Sequence, residues 1–130
     1  MKIADILADK QLAARSKVWL ELDGKPFFGE GRYTILRSIE RYGSIKRASE
    51  EIGIPYRRIR GAIYVMEKAI GVPLVLRSRG GASGGGASIS QAASELLRLF
   101  EKQEEGVRER VDEQHLIAFE TIRRDVSPAG

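Results

Sequence analysis

The sequence predicts an α+β fold, mostly helical, and three observations lead there. Apolar residues recur at helical spacing in five segments, and two short alternating segments between them carry turn signals. The third is size: 130 residues, 42% of them hydrophobic, suffice for one compact core and are too few for two independent domains.

The elements follow in order. Residues 3–15 put Ile3, Ile6, Leu7 and Ala14 on one face, predicting an amphipathic helix within an amino-terminal segment, 1–17. Such a helix is too weak to stand alone and needs a packing surface. Val18, Leu20 and Leu22 then alternate with Trp19 and Glu21, Asp23-Gly24 signals a two-residue turn, and Lys25 to Phe28 returns as a β-hairpin. Pro26 is tolerated there only on an edge. From Gly31 the period lengthens: Ile35, Leu36 and Ile39 mark a helix that stops at Gly43. Ser44 caps the next helix, short, with Ile45, Ala48 and Ile52 on one side and Gly53 at its end. Pro55 suits the first position of a third helix, 55–70, whose Ile59, Ile63, Met66 and Ile70 repeat before Gly71 and Pro73 close it.

Leu74 to Leu76 and Ser88 to Ile89 read as brief strands on either side of Arg77-Ser78-Arg79 and a glycine-rich run, Gly80 to Gly86. Ser90 caps a long helix, 91–124, with Leu96, Phe100, Val107, Val111, Ala118 and Ile122 at spacings near three and four, weakened at Gly106. The tail, 125–130, is expected to be disordered. Two short helices joined through Gly53 and followed by a two-stranded wing make residues 18–90 a winged helix-turn-helix with a glycine-rich wing, an amino-terminal β-hairpin and a long carboxy-terminal helix.

Charge points the same way. The net charge is +4 and the sequence pI about 9.6, a weak sign of a polyanionic partner. Its distribution is sharper. From Arg41 to Gly80 nine basic residues oppose Glu50, Glu51 and Glu67, whereas from Gln91 to Asp125 nine acids outnumber six bases. The positive charge therefore belongs to the helix-turn-helix, and the long helix must serve another purpose. On the third helix Arg57, Arg60, Gly61 and Tyr64 stand opposite the isoleucine and methionine stripe, so they can enter a groove together. Arginine there reads guanine or grips phosphate, and Gly61 lets a ligand come close to the backbone. The groove-facing set is Tyr56, Arg57, Arg58, Arg60 and Tyr64; Ser44, Lys46, Arg77 and Arg79 are expected to contact the DNA backbone. An ordinary solvated basic face is the competing reading of this helix.

Other chemistries find little support. A phosphate-binding P-loop needs a lysine after its second glycine, and the run offers Gly86 or Ala87 instead. A flexible linker is the other reading of that run, against a wing with Arg77 and Arg79 at its base. His115 is the only histidine and there is no cysteine, so no catalytic site, metal or cofactor is expected. The missing cysteines fit a reducing interior, and residues 1–17 lack the apolar stretch of a signal peptide, so a cytoplasmic address is expected, with no membrane partner. The long helix and the amino-terminal segment suit homodimerisation, helix-turn-helix proteins commonly reading two half-sites by symmetry; a monomer with folded-back helices is the alternative.

With these residues in place, the stretch from about Trp19 to Leu97 resembles the amino-terminal DNA-binding domain of the molybdate-responsive ModE family, itself related to LysR-type winged helices. The residues that carry the resemblance are Leu20-Glu21-Leu22-Asp23-Gly24-Lys25, Gly29-Glu30-Gly31-Arg32, Gly43-Ser44-Ile45 with Ala48, Gly53-Ile54 with Tyr56-Arg57, and Arg77-Ser78-Arg79-Gly80-Gly81 through Gly84-Gly85-Gly86-Ala87 to Ile89-Ser90. The resemblance implies a dimeric transcription regulator that places its third helix in the major groove of double-stranded DNA and its wing on the backbone or minor groove. Arg60 and Gly61 stand where family members often have an aromatic and an acidic residue, and Pro55 and Ala93 replace an expected serine and glycine. The target sequence is therefore not implied. Family regulators carry carboxy-terminal oxyanion-binding domains whereas this chain ends soon after its long helix, so molybdate binding is not expected. The alternative function is a protein-interaction module or a general chromosomal protein on the same fold.

Overall fold

The computed structural model describes residues 1–79 and 85–125. They form two compact units: Val18–Lys102, and Met1–Lys17 together with the chain from Gln103 onward. The larger unit opens with an antiparallel hairpin, β1 (Leu20–Leu22) and β2 (Lys25–Phe28). Asp23 and Gly24 both take positive φ, 50° and 80°, the backbone of a two-residue turn whose twist matches its strands. Three helices follow: α2 (Glu30–Tyr42), α3 (Ile45–Ile52) and α4 (Tyr56–Ile70). Each ends on a left-handed glycine, Gly43, Gly53 or Gly71, whose N–H donates back to the carbonyl four residues earlier. Ser44 caps α3 by accepting from the Arg47 N–H at 3.0 Å.

A second antiparallel hairpin, β3 (Val75–Ser78) and β4 (Gly86–Ile89), comes after α4, and α5 (Gln91–Arg124) after that. Ser90 works at both ends of this junction. Its Oγ accepts from the Ala93 N–H at 3.1 Å, capping α5, and donates to the Pro73 carbonyl at 2.8 Å. The Ala87 N–H donates to the Gly43 carbonyl at 2.7 Å, so β4 is tied to the turn between α2 and α3. Gly85, just before β4, is required by contact: a Cβ on it would lie 2.8 Å from the Ser78 carbonyl oxygen. The unit is an α+β, winged-helix-like arrangement. Residues 80–84 of the expected glycine-rich wing lie outside the described residues, as do 126–130 of the tail.

The core of this unit draws on every helix in it: Leu36 and Ile39 from α2, Ala48 from α3, Ile59, Ile63 and Met66 from α4, and Leu97 and Phe100 from α5 are all within 1% of full burial. Burial of each large side chain contributes about 1.5–3 kcal/mol. Phe28 meets Phe100 edge-on with centroids 5.3 Å apart, fastening the first hairpin to α5. Polar contacts reinforce the α2–α5 seam. The Tyr33 hydroxyl donates to Glu101 at 2.7 Å, and Arg37 Nη2 donates to both Glu101 oxygens, at 2.8 and 2.9 Å. The Arg37 guanidinium, then the Tyr33 hydroxyl, hold the Glu101 carboxyl below its ordinary range; burial and Glu101 push the Tyr33 hydroxyl up.

Sequence and structure differ at several element boundaries. The amino-terminal helix, expected over 3–15, is only α1 (Ile3–Ile6): it has no side-chain cap and buries none of its residues, and a single turn gains too little from its own bonds to propagate. Pro55 is the residue before α4 rather than its first, its carbonyl accepting from the N–H groups of Arg58 and Ile59. Strand β3 begins and ends later than expected, so Arg77 lies within it. In the smaller unit, His115 Nε2 is 3.2 Å from the Leu12 carbonyl, and Glu120 accepts from Arg123 and Arg124, which hold its carboxyl down to about 2.

Candidate nucleic-acid interface

Helix α4 has two faces set by a simple offset. Its buried residues Ile59, Ile63 and Met66, with half-buried Ile70, repeat at intervals of four, three and four. At 3.6 residues per turn, a shift of two residues lands on the opposite side. That shift names Arg57, Gly61, Tyr64 and Lys68, every one exposed. Arg60 and Arg58 flank this stripe on its two sides, and Tyr56 begins the helix, 45% exposed. Cations and rings along it are paired: the Arg60 guanidinium lies 5.9 Å from the Tyr56 centroid, and Lys68 Nζ lies 5.7 Å from that of Tyr64. The third helix therefore brings Tyr56, Arg57, Arg58, Arg60 and Tyr64 to solvent. Lys68 completes the face and was missed by sequence reasoning, though the same two-residue offset from Ile70 finds it.

Ser44 and Lys46 sit at the start of α3. The Ser44 oxygen is engaged by the Arg47 N–H, and Lys46 is exposed. Arg47 and Arg41, also absent from the predicted set, hold their guanidiniums 5.3 and 5.6 Å from the Tyr42 centroid. The adjacency of Arg41 and Tyr42 was legible; the arrival of Arg47 over the same ring was not, because it depends on the α2–α3 turn. Arg77 is opposite Ala87 in the β3–β4 register and so shares its sheet face, the face that Ala87 turns to the core. It is exposed, as is Arg79 beyond the strand. Through the bond between Ala87 and Gly43, the base of this hairpin stands at the same turn that carries Arg41, Tyr42, Ser44 and Lys46.

The surface thus offers cations and aromatic rings from three sources, the exposed face of α4, the α2–α3 turn and the strand β3. Such a set suits a polyanion with planar bases. Among the described residues no group of His, Cys, Asp or Glu is placed to hold a metal ion, and no helix is long and apolar enough to cross a membrane.

No family model matches the chain. It is 33% identical over 79 residues to the molybdenum-pterin-binding protein MopB of Rhodobacter capsulatus, covering 61% of this chain and 29% of that protein. To the DNA-binding transcriptional dual regulator ModE of Escherichia coli it is 33% identical over 82 residues, covering 63% of this chain and 31% of the regulator. The transcriptional regulator ModE of Haemophilus influenzae matches over 108 residues at 28% identity, covering 82% of this chain and 40% of the regulator. The chain thus spans between a quarter and a half of the length of these curated relatives. Among solved structures, ArgP of Mycobacterium tuberculosis superposes with a TM-score of 0.49 at 21% identity, over 66% of this chain and 30% of that one.

Proposed function

We propose that this chain, similar over most of its length to ModE-type regulators, binds double-stranded DNA in a sequence-specific way, as a homodimer, and regulates transcription. The single observation that carries the reading is the α4 stripe of Arg57, Gly61, Tyr64 and Lys68 opposite the apolar stripe of buried Ile59, Ile63 and Met66 and half-buried Ile70. A rigid helix with one face in the core and a cationic, aromatic face outward fits the width of the major groove. In this reading Tyr56, Arg57, Arg58, Arg60 and Tyr64 face the bases, and Ser44, Lys46, Arg77 and Arg79 meet the DNA backbone, Ser44 also capping α3. Arg41 and Arg47 add cations beside Tyr42 at the α2–α3 turn.

Dimerisation is assigned to residues 1–17 and the long helix. It is supported by exposed apolar side chains in the smaller unit, Ile3, Ile6, Leu12, Leu116, Ile117 and Ile122, of which Leu116 is 71% exposed. A monomer leaves these in water; a symmetric pair buries them. Leu116→Glu with Ile117→Glu then yields a monomer in analytical ultracentrifugation. Molybdate is left out of the proposed function, and calorimetric titration with molybdate, giving no heat, is the matching check.

Fluorescence anisotropy with duplex pools across a salt series tests the reading. With about six to eight phosphates engaged per dimer, log affinity falls against log salt with a slope of roughly −5 to −7. Selection of a palindromic site with that slope supports the regulator; weak, sequence-blind binding favours a general chromosomal role. Absence of binding at low salt refutes DNA as partner.

A further inference from the structure

Gly61 is a costly residue that the fold does not ask for. It lies in the middle of α4, has no positive φ, and a Cβ built on it meets nothing within 4 Å. A glycine in a helix interior destabilises relative to alanine, so neither backbone conformation nor packing accounts for it here. Its neighbours one turn away do suggest a use. Tyr64 and Val65, 63% and 50% exposed, follow at three and four residues, and their Cα–Cβ bonds tilt back toward the turn that holds Gly61. Arg57 and Arg58 stand one turn before, both exposed. The result is a shallow notch in the outward face of α4, apolar on one side and cationic on the other. Gly106 in α5 is equally open, but its neighbours at the same spacings are Lys102, Gln103, Glu109 and Arg110, so no apolar wall borders it.

We infer that the notch over Gly61 receives the C5-methyl group of a pyrimidine, that of a thymine in the operator, while Arg57 reaches the adjoining base pair. This deepens the DNA-binding reading and rests on it. The thymine methyl is the one apolar feature on the major-groove edges of the bases, and a missing Cβ between Tyr64 and Val65 leaves room for it against the helix. Arg57 is four residues before Gly61 on the same stripe, which sets its guanidinium toward a neighbouring step.

The test uses the full chain and the duplex selected above, with each thymine replaced singly by deoxyuridine, which removes only the methyl. One thymine per half-site is expected to lower affinity about threefold to fivefold, the effect of burying one methyl. Exchanging that T·A pair for C·G weakens binding further, and 5-methylcytosine there recovers the methyl's share. Gly61→Ala fills the notch: its melting temperature rises by about 2–8 °C, showing an intact fold, while the penalty for deoxyuridine disappears and affinity for the thymine duplex falls about tenfold. The inference is overturned if the wild-type protein selects a site yet no single deoxyuridine matters, or if Gly61→Ala keeps the wild-type deoxyuridine profile. A wild-type protein that selects no duplex overturns the DNA reading itself, a result recognisable before any base is modified.

Discussion

Glu67 is the residue whose removal should most directly report how the second hairpin is held. It lies near the end of α4, and one oxygen, Oε2, accepts from the N–H of Leu74 at 2.7 Å and of Val75 at 3.1 Å. Both donors belong to buried residues, Leu74 fully so. In Glu67→Ala the two N–H groups lose a charged acceptor at a place where water enters poorly. A hydrogen bond to a charged group contributes about 1.5–3 kcal/mol, and a half-buried side chain leaves room for partial rehydration, so a loss of roughly 2–3 kcal/mol is expected for the pair. For a unit of this size that lowers the melting temperature by on the order of 10–20 °C. Glu67→Gln keeps an acceptor oxygen and should lose less than half as much. Urea denaturation of the three proteins gives the stabilities, and amide exchange at Leu74 and Val75 locates the effect. If Glu67→Ala matches wild type within about 0.5 kcal/mol, or if protection at these two amides is unchanged, the carboxylate does not hold the strand and the reasoning fails.

Three further outcomes are expected. Arg57→Glu with Arg60→Glu reverses charge on an exposed face away from the core, so melting should stay within about 0.5 kcal/mol of wild type while duplex affinity falls at least a hundredfold; unchanged duplex affinity would show that this face of α4 does not carry the DNA contacts. Gly85→Ala places a Cβ 2.8 Å from the Ser78 carbonyl oxygen, and, backbone being unable to yield cheaply, should destabilise by about 1–3 kcal/mol in thermal melts. Arg37 holds Glu101 below its ordinary range, so the pair stabilises the fold above the unfolded carboxyl value and loses that contribution as pH falls through the folded one. With both side chains about two-fifths exposed, the contribution is at most about 1 kcal/mol, and the stability gap between wild type and Glu101→Gln should close below pH about 4.

Much of the fold is written locally. The stops at Gly43, Gly53 and Gly71 and the caps at Ser44 and Ser90 act within four residues, so their chemistry is visible along the chain, and all five do in the structure what their residue types imply. The outward face of α4 is equally legible, because a helix converts sequence spacing into direction. Where local energy is small the reading weakens: residues 3–15 carry a helical pattern but form only one turn, since a pattern without a buried face contributes little.

What joins distant segments was decided by tertiary structure alone. Glu67 looked like one acid in a basic region, yet it receives the start of β3; Arg47 reaches the ring of Tyr42 across a turn; the Ala87 N–H finds the Gly43 carbonyl from the far end of the helix-turn-helix. The single chain determined which residues of α4 face outward and where α2, α3 and α4 stop, since those depend on backbone geometry and nearest neighbours. Which of the outward residues stand together depends on how the elements pack, and that is set by the shared core of Leu36, Ile63, Met66 and Phe100, whose burial no local pattern measures.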